Sequence, residues 1–152
     1  MKKLFFIIGF IICSLCIYSQ NIYYGNSNYA SDIMANVKDG KLYEGRSTYY
    51  HNVLFNFDGK YIYRGNSRYS SDIIATWYKN RLYRGKSTYM SDVVATWNGR
   101  TMYYGNSNYY NDALFNYDGK YLKRYNSRFR SDIILTTSSR VHPAILGIIM
   151  IF

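Results

Sequence analysis

The chain has 152 residues, a formal net charge of +10, 20% aromatic residues that are mostly Tyr, one Pro, and one Glu at position 44. One domain with a real core fits this length. The composition excludes a disordered chain and gives little material for a helical bundle.

Residues 1–19, in MKKLFFIIGFIICSLCIYSQ, read as a signal peptide: two lysines, an apolar run from Leu4 to Ile17, then the small Ser19. An uncleaved anchor is the rival, although the apolar run falls short of the ~20 residues of a membrane span. The reading predicts an exported bacterial protein, periplasmic, cell-surface or secreted. Cys13 and Cys16 lie in this leader, so the mature chain has no disulfide, thiolate nucleophile or cysteine-held metal. Loss of Lys2 and Lys3 leaves +8, which favours anionic partners such as acidic envelope glycans or lipid headgroups. Nucleic acid is not expected in that compartment.

Residues 20–142 form the repeat domain. The unit typified by LYRGKSTYMSDVVATWNGRT recurs without gaps every 20 residues from about Ile22 to Thr137. Gly25, Gly45, Gly65, Gly85 and Gly105 share one position, with Tyr125 in the last copy. Ser27, Ser47, Ser67, Ser87, Ser107 and Ser127 follow, and then Tyr29, Tyr49, Tyr69, Tyr89, Tyr109 and Phe129. Asp32, Asn52, Asp72, Asp92, Asp112 and Asp132 close the motif.

Each unit predicts a β-hairpin. Asp58-Gly59, Asn98-Gly99 and Asp118-Gly119 suit a two-residue type I′ loop, whereas Lys38-Asp39-Gly40 and Tyr78-Lys79-Asn80 suit a type I turn with a G1 bulge. A turn at Asp58-Gly59 pairs Phe55 with Ile62 and puts Val53, Phe55, Phe57 and Ile62 on one face. Leu54, Asn56, Tyr61 and Tyr63 take the other. A hairpin apolar on both faces needs cover on both, as in a blade or petal. The expected fold is therefore all-β: hairpins in a closed propeller- or flower-like ring, pseudo five-fold, with six-fold as the alternative. Five hairpins close in sequence, and the half-units at Ile22–Gly25 and Asp132–Thr137 complete the ring if they pair.

The apolar tail, residues 143–152 (PAILGIIMIF), is too short to span a bilayer unaided. It is expected to be a buried strand or plug, with membrane contact or a protein partner as alternatives. Pro143 argues against a central strand starting there.

Signal peptide, short tyrosine-rich hairpins with Asp-Gly turns, and apolar tail together resemble the five-fold β-flower proteins of bacteria. The resemblance covers the whole mature chain and implies hairpins around a pseudo-five-fold axis with no established activity. The Gly-x-Ser-x-Tyr connection occurs here in six copies. Phe57-Asp58-Gly59-Lys60 and Tyr117-Asp118-Gly119-Lys120 are similar to the YD repeats of toxin shells. The unit length and aromatic content are similar to choline- and glucan-binding repeats, with only Trp77 and Trp97 as tryptophans.

No catalytic set is expected. His51 and His142 lack a recurring acidic partner, and a pair of glycosidase carboxyls is hard to build with Glu44 as the only Glu. Ser67, Ser87, Asp72 and Asp92, with Gly45, Gly65 and Gly85, read as structural positions that satisfy backbone groups in the connections. A calcium-binding ring of Asp is the minor alternative; no metal or cofactor is expected. Tyr23, Tyr43, Tyr63, Tyr83 and Tyr103 read as packing between petals. The candidate ligand contacts are basic: Arg64, Arg68, Arg84, Arg124 and Arg128, with Arg46, Lys86 and Arg130, near the connections at one end of the ring. Lys38, Lys60, Lys79, Arg81, Arg100 and Lys120 gather at the turn end. The expected function is non-enzymatic binding or scaffolding in the cell envelope. The alternative is a structural or assembly module using residues 143–152.

Overall fold

The structure is a computed structural model that describes residues 19–152. The expected signal peptide therefore lies outside the described residues, Ser19 excepted.

Among the described residues there are twelve strands and one α-helix. The strands are β1 (Gln20–Tyr24), β2 (Ile33–Lys38), β3 (Lys41–Glu44), β4 (Val53–Phe57), β5 (Tyr61–Arg64) and β6 (Ile73–Tyr78). They continue with β7 (Arg81–Arg84), β8 (Val93–Trp97), β9 (Thr101–Tyr104), β10 (Ala113–Tyr117), β11 (Tyr121–Arg124) and β12 (Ile133–Thr137), and the helix is α1 (Pro143–Ile151). Neighbouring strands are antiparallel in chain order, and β1 pairs with β12 through Ile22 and Thr137, so the sheet closes as a barrel. The two sequence half-units thus form a sixth hairpin, and the ring is six-fold rather than five-fold. Closure leaves no exposed sheet edge.

The hairpins lie side by side in one wall instead of stacking face to face as propeller blades. One face of the wall lines the lumen and the other faces out. Into the lumen point Ile22, Leu42, Ile62, Leu82, Met102 and Leu122, all at most 3% exposed. Twelve strands at ~4.8 Å spacing, tilted as barrels require, enclose a lumen roughly 20 Å across between backbones. Side chains alone do not fill that width, least of all where Ala35, Ala75 and Ala95 line it. The helix α1 fills it: Ala144, Ile145, Leu146, Gly147 and Ile148 are buried in the same cluster. Enclosed by the wall over residues 144–148, α1 is apolar all round, as a buried helix must be.

The tail is thus a helix and not a strand, because Pro143 occupies the first helical turn, where its missing N–H costs nothing. His142 caps it, its Nδ1 accepting from the Ala144 N–H at 3.2 Å. The helix enters at the turn end, where the His142 ring meets Phe57 and Trp77 with centroids 4.9 and 5.5 Å apart. It points its C-terminal end, with the exposed Met150 and Phe152, towards the connection end.

Hairpin register differs from the sequence expectation in one respect. Phe57 pairs with Ile62 and Phe55 with Arg64, so the two-residue loop is Gly59-Lys60, one position later than Asp58-Gly59. Gly59, Gly99 and Gly119 have φ of 100°, 101° and 104°, as glycine at the first loop position of a type II′ turn requires. The type I′ geometry, positive φ at both loop residues, belongs instead to Asp39-Gly40 (53° and 74°) and Lys79-Asn80 (47° and 59°). Asp58 stands before its turn because its Oδ1 accepts from the N–H groups of Lys60 and Tyr61, at 2.9 and 2.7 Å.

A bulge at Met34, Leu54, Ile74, Val94, Leu114 and Ile134 shifts register at each inter-hairpin seam of the barrel. Val53 consequently pairs with Tyr43 on the outer face, not with Phe55 in the lumen as expected. The carbonyl of each bulge residue accepts from the N–H of Gly25, Gly45, Gly65, Gly85, Gly105 or Tyr125, which ties the start of each connection to the ingoing strand of the hairpin it leaves.

Candidate functional site

Six connections project from one end of the barrel, and each is built by the same three contacts. In the third, the Tyr69 N–H donates to Ser67 Oγ at 3.0 Å, the Ser67 hydroxyl donates to Asp72 Oδ2 at 2.5 Å, and the Asp72 N–H donates to the Tyr69 carbonyl at 3.0 Å. The Ser–Asp contact recurs at Ser27–Asp32, Ser87–Asp92, Ser107–Asp112 and Ser127–Asp132. In the second connection the direction reverses, Asn52 Nδ2 donating to Ser47 Oγ at 2.8 Å. Each Asp side chain thus holds the serine hydroxyl rather than a backbone N–H. Hydroxyl and carboxylate are engaged in shaping a turn, and among the described residues no three His, Cys, Asp or Glu side chains gather as a metal would require.

This scaffold presents an aromatic ring six times. Tyr29, Tyr49, Tyr69, Tyr89, Tyr109 and Phe129 are between 72% and 79% exposed. Their backbone angles agree to within a few degrees, with φ from −76° to −80° and ψ from 142° to 146°. Each aromatic stands in extended backbone immediately before a short 3-10 turn. Tyr50 and Tyr110 add exposed rings beside two of them.

Beneath the connections sits a second repeated feature that the sequence reading passed over. Asn36, Asn56, Thr76, Thr96, Asn116 and Thr136 are buried polar residues on the outer face. Asn56 Nδ2 donates to the Ser67 carbonyl at 3.0 Å, and the Thr76 hydroxyl donates to the Gly85 carbonyl at 2.7 Å. Thr96, Asn116 and Thr136 make equivalent bonds to Gly105, Ser127 and Gly25. These bonds lay the connections down on the outer wall and cover Tyr43, Tyr63, Tyr83 and Tyr103, each at most 7% exposed. The alternation of Asn or Thr between apolar neighbours at a fixed place in the period was the available signal.

The basic residues divide by position. Arg64, Arg84 and Arg124 pair with Phe55, Ala75 and Phe115. They therefore lie on the lumen face at the connection-end rim, in one circle with Tyr24, Glu44 and Tyr104. Arg68 and Arg128 are exposed on the connections themselves, outside that circle. Arg68 is close enough to the outer wall for its charge to act on Asp58. Burial raises the Asp58 pKa, but the Tyr61 and Lys60 N–H groups, the Tyr63 hydroxyl and the Arg68 charge outweigh it and hold the carboxyl below its ordinary value. Tyr63 is pushed up, by burial and by its bond to Asp58.

Of the two histidines, His51 is exposed on the second connection, edge-on to Tyr50 at 5.4 Å. His142 belongs to the helix cap, where desolvation by its neighbours lowers its pKa.

A six-fold barrel of 20-residue hairpins, plugged by its own C-terminal helix, matches a described family across residues 22–149. The chain belongs to the 6-fold beta flower protein family. The match spans all twelve strands except the first two residues of β1, and all but the end of the helix. The flower is thus a β-hairpin repeat module. No match was found among curated proteins or solved structures.

Proposed function

We propose that this β-flower is an exported, non-enzymatic module that binds acidic glycans of the cell envelope through its ring of connections. One observation carries the reading: six aromatic side chains, held in one backbone geometry and exposed at 72% or more, surround a basic barrel. One exposed aromatic at the same place in every repeat gives a regular array of stacking faces, each with an apolar body. Flat aromatic faces stack on the C–H faces of pyranose rings, and repetition converts weak single contacts into avidity. The net positive charge selects anionic polymers and concentrates them near the ring.

The test is a glycan array probed with residues 20–152 at low and high salt, beside anionic lipid vesicles. The reading predicts binding to uronate- or sulfate-bearing polysaccharides that weakens as salt rises. Binding to vesicles alone would replace it with a lipid-surface reading, and no glycan binding at low salt would end it.

A further inference from the structure

The six connections are not equivalent in charge: the third and the sixth begin on Arg-x-Asn-Ser-Arg, and the third lines a groove. Between the second and third connections lies an open groove of about 780 Å³, walled by Tyr50 and His51 on one side and by Arg64, Arg68 and Tyr69 on the other. Gly65 lines it, where an added Cβ would meet only the Val53 carbonyl oxygen at 3.7 Å, and so does Asp72, whose carboxylate accepts from the Ser67 hydroxyl. A volume of this size accommodates two or three sugar residues.

From these residues we infer that the groove is a subsite for a carboxylate-bearing sugar, a uronic-acid unit within a longer chain. The inference rests on the glycan-binding reading above and names the sugar that this part of the ring selects. Tyr50 and Tyr69 are 68% and 77% exposed, so their faces are free to stack on pyranose rings. Arg68, exposed on the third connection, carries a planar fork of N–H donors that matches a carboxylate in two parallel hydrogen bonds where a lysine offers only a point charge, and Arg64 adds its charge from the rim of the barrel. Stacking and bidentate recognition together describe a ring that bears a carboxylate; a bare phosphate headgroup uses only the second.

Arg-x-Asn-Ser-Arg occurs once more, at Arg124 to Arg128. There Tyr125 replaces Gly65 and carries an exposed side chain where the first groove is open, and Phe129 replaces Tyr69. The remaining connections carry Asn28, Thr48, Thr88 or Asn108 in place of Arg68, and so lack the second guanidinium. The groove beside His51 therefore combines two guanidinium groups, two tyrosines and a glycine.

The experiment is calorimetric titration of the mature chain with trigalacturonate and with its methyl ester, which keeps the rings and removes the charge. Three further proteins are compared: Arg64→Ala/Arg68→Ala, Tyr69→Ala, and Arg100→Ala/Lys120→Ala, which removes two exposed cations at the turn end. The expected result is that esterification and the Arg64/Arg68 pair each weaken binding by about tenfold or more, the loss of one bidentate charge-assisted contact. Tyr69→Ala also weakens it, while the Arg100/Lys120 pair stays within about twofold. Equal losses in the two double variants would show a general charge field and overturn the subsite. Absence of trigalacturonate binding, with other glycans still bound on the array, would overturn the subsite and leave the multivalent reading standing. Failure of every glycan would overturn both.

Discussion

Tyr63 donates its hydroxyl hydrogen to Asp58 Oδ2 at 2.9 Å, tying the outgoing strand of a hairpin to the residue that precedes its turn. Two hairpins on, Asn98 occupies the position of Asp58, its Oδ1 accepting from Arg100 and Thr101 while its Nδ2 donates to the Tyr103 hydroxyl at 3.1 Å. The same turn is thus built with either a carboxylate or an amide, the hydroxyl reversing its role.

Asp58→Asn should therefore fall within about 0.5 kcal/mol of the parent at neutral pH, whereas Asp58→Ala should cost about 1 kcal/mol through lost hydrogen bonds. Because the folded-state pKa of Asp58 is held down, its contribution is present above the unfolded value of about 3.9 and is lost as pH falls through the folded one. Urea melts at pH 7 and pH 3 check both points: the Asn variant should lose less stability on acidification than the parent.

Tyr125 stands in the left-handed conformation, φ 54°, where the other five connections have glycine at φ 55° to 58°. A side chain pays a steric cost there that glycine escapes. Tyr125→Gly should stabilise the fold by about 0.5 to 1 kcal/mol, read as a rise of roughly 2 °C in Tm by calorimetry. An unchanged or lower Tm would show that the exposed tyrosine side chain stabilises the connection by more than its backbone strain.

Gly147 lies at the middle of the plug, where an added Cβ would sit 3.2 Å from Met102 Cε and 3.4 Å from Leu82 Cδ2. Both are ends of flexible side chains, and alanine is the better helix former, so Gly147→Ala should be nearly neutral. Gly147→Leu overfills the lumen and should cost about 2 to 3 kcal/mol by denaturant titration. A tolerated leucine would mean that the helix does not fill the barrel.

Much of this architecture was legible in the sequence because it is written six times. Ile22, Leu42, Ile62, Leu82, Met102 and Leu122 recur at one spacing and all reach the lumen. The hairpin register was misread by two residues in the summed pairing, since Asp58-Gly59 resembles a turn pair more than Gly59-Lys60 does. An even slip keeps every side chain on its own face, so Phe55, Phe57 and Ile62 still came out together. Val53 did not, because the bulge at Leu54 carries no glycine or proline to announce it. Pro143 was read only as a residue unfit for a strand, although the same proline starts helices well. The six exposed aromatics were visible as a repeat, but their exposure depends on how the connections lie on the outer wall, which is decided by bonds such as Asn56 to Ser67.

If the aromatic ring does the binding, its removal abolishes avidity for acidic polysaccharide. The most direct measurement is surface plasmon resonance on immobilised polygalacturonate, comparing the parent with a variant in which Tyr29, Tyr49, Tyr69, Tyr89, Tyr109 and Phe129 are all replaced by Ala. Since these side chains are 72% to 79% exposed, the variant should keep the parent's cooperative thermal unfolding. The expected result is a loss of avidity of about a hundredfold or more, as several weak contacts are removed together. Binding within about threefold of the parent, from a folded variant, would contradict it.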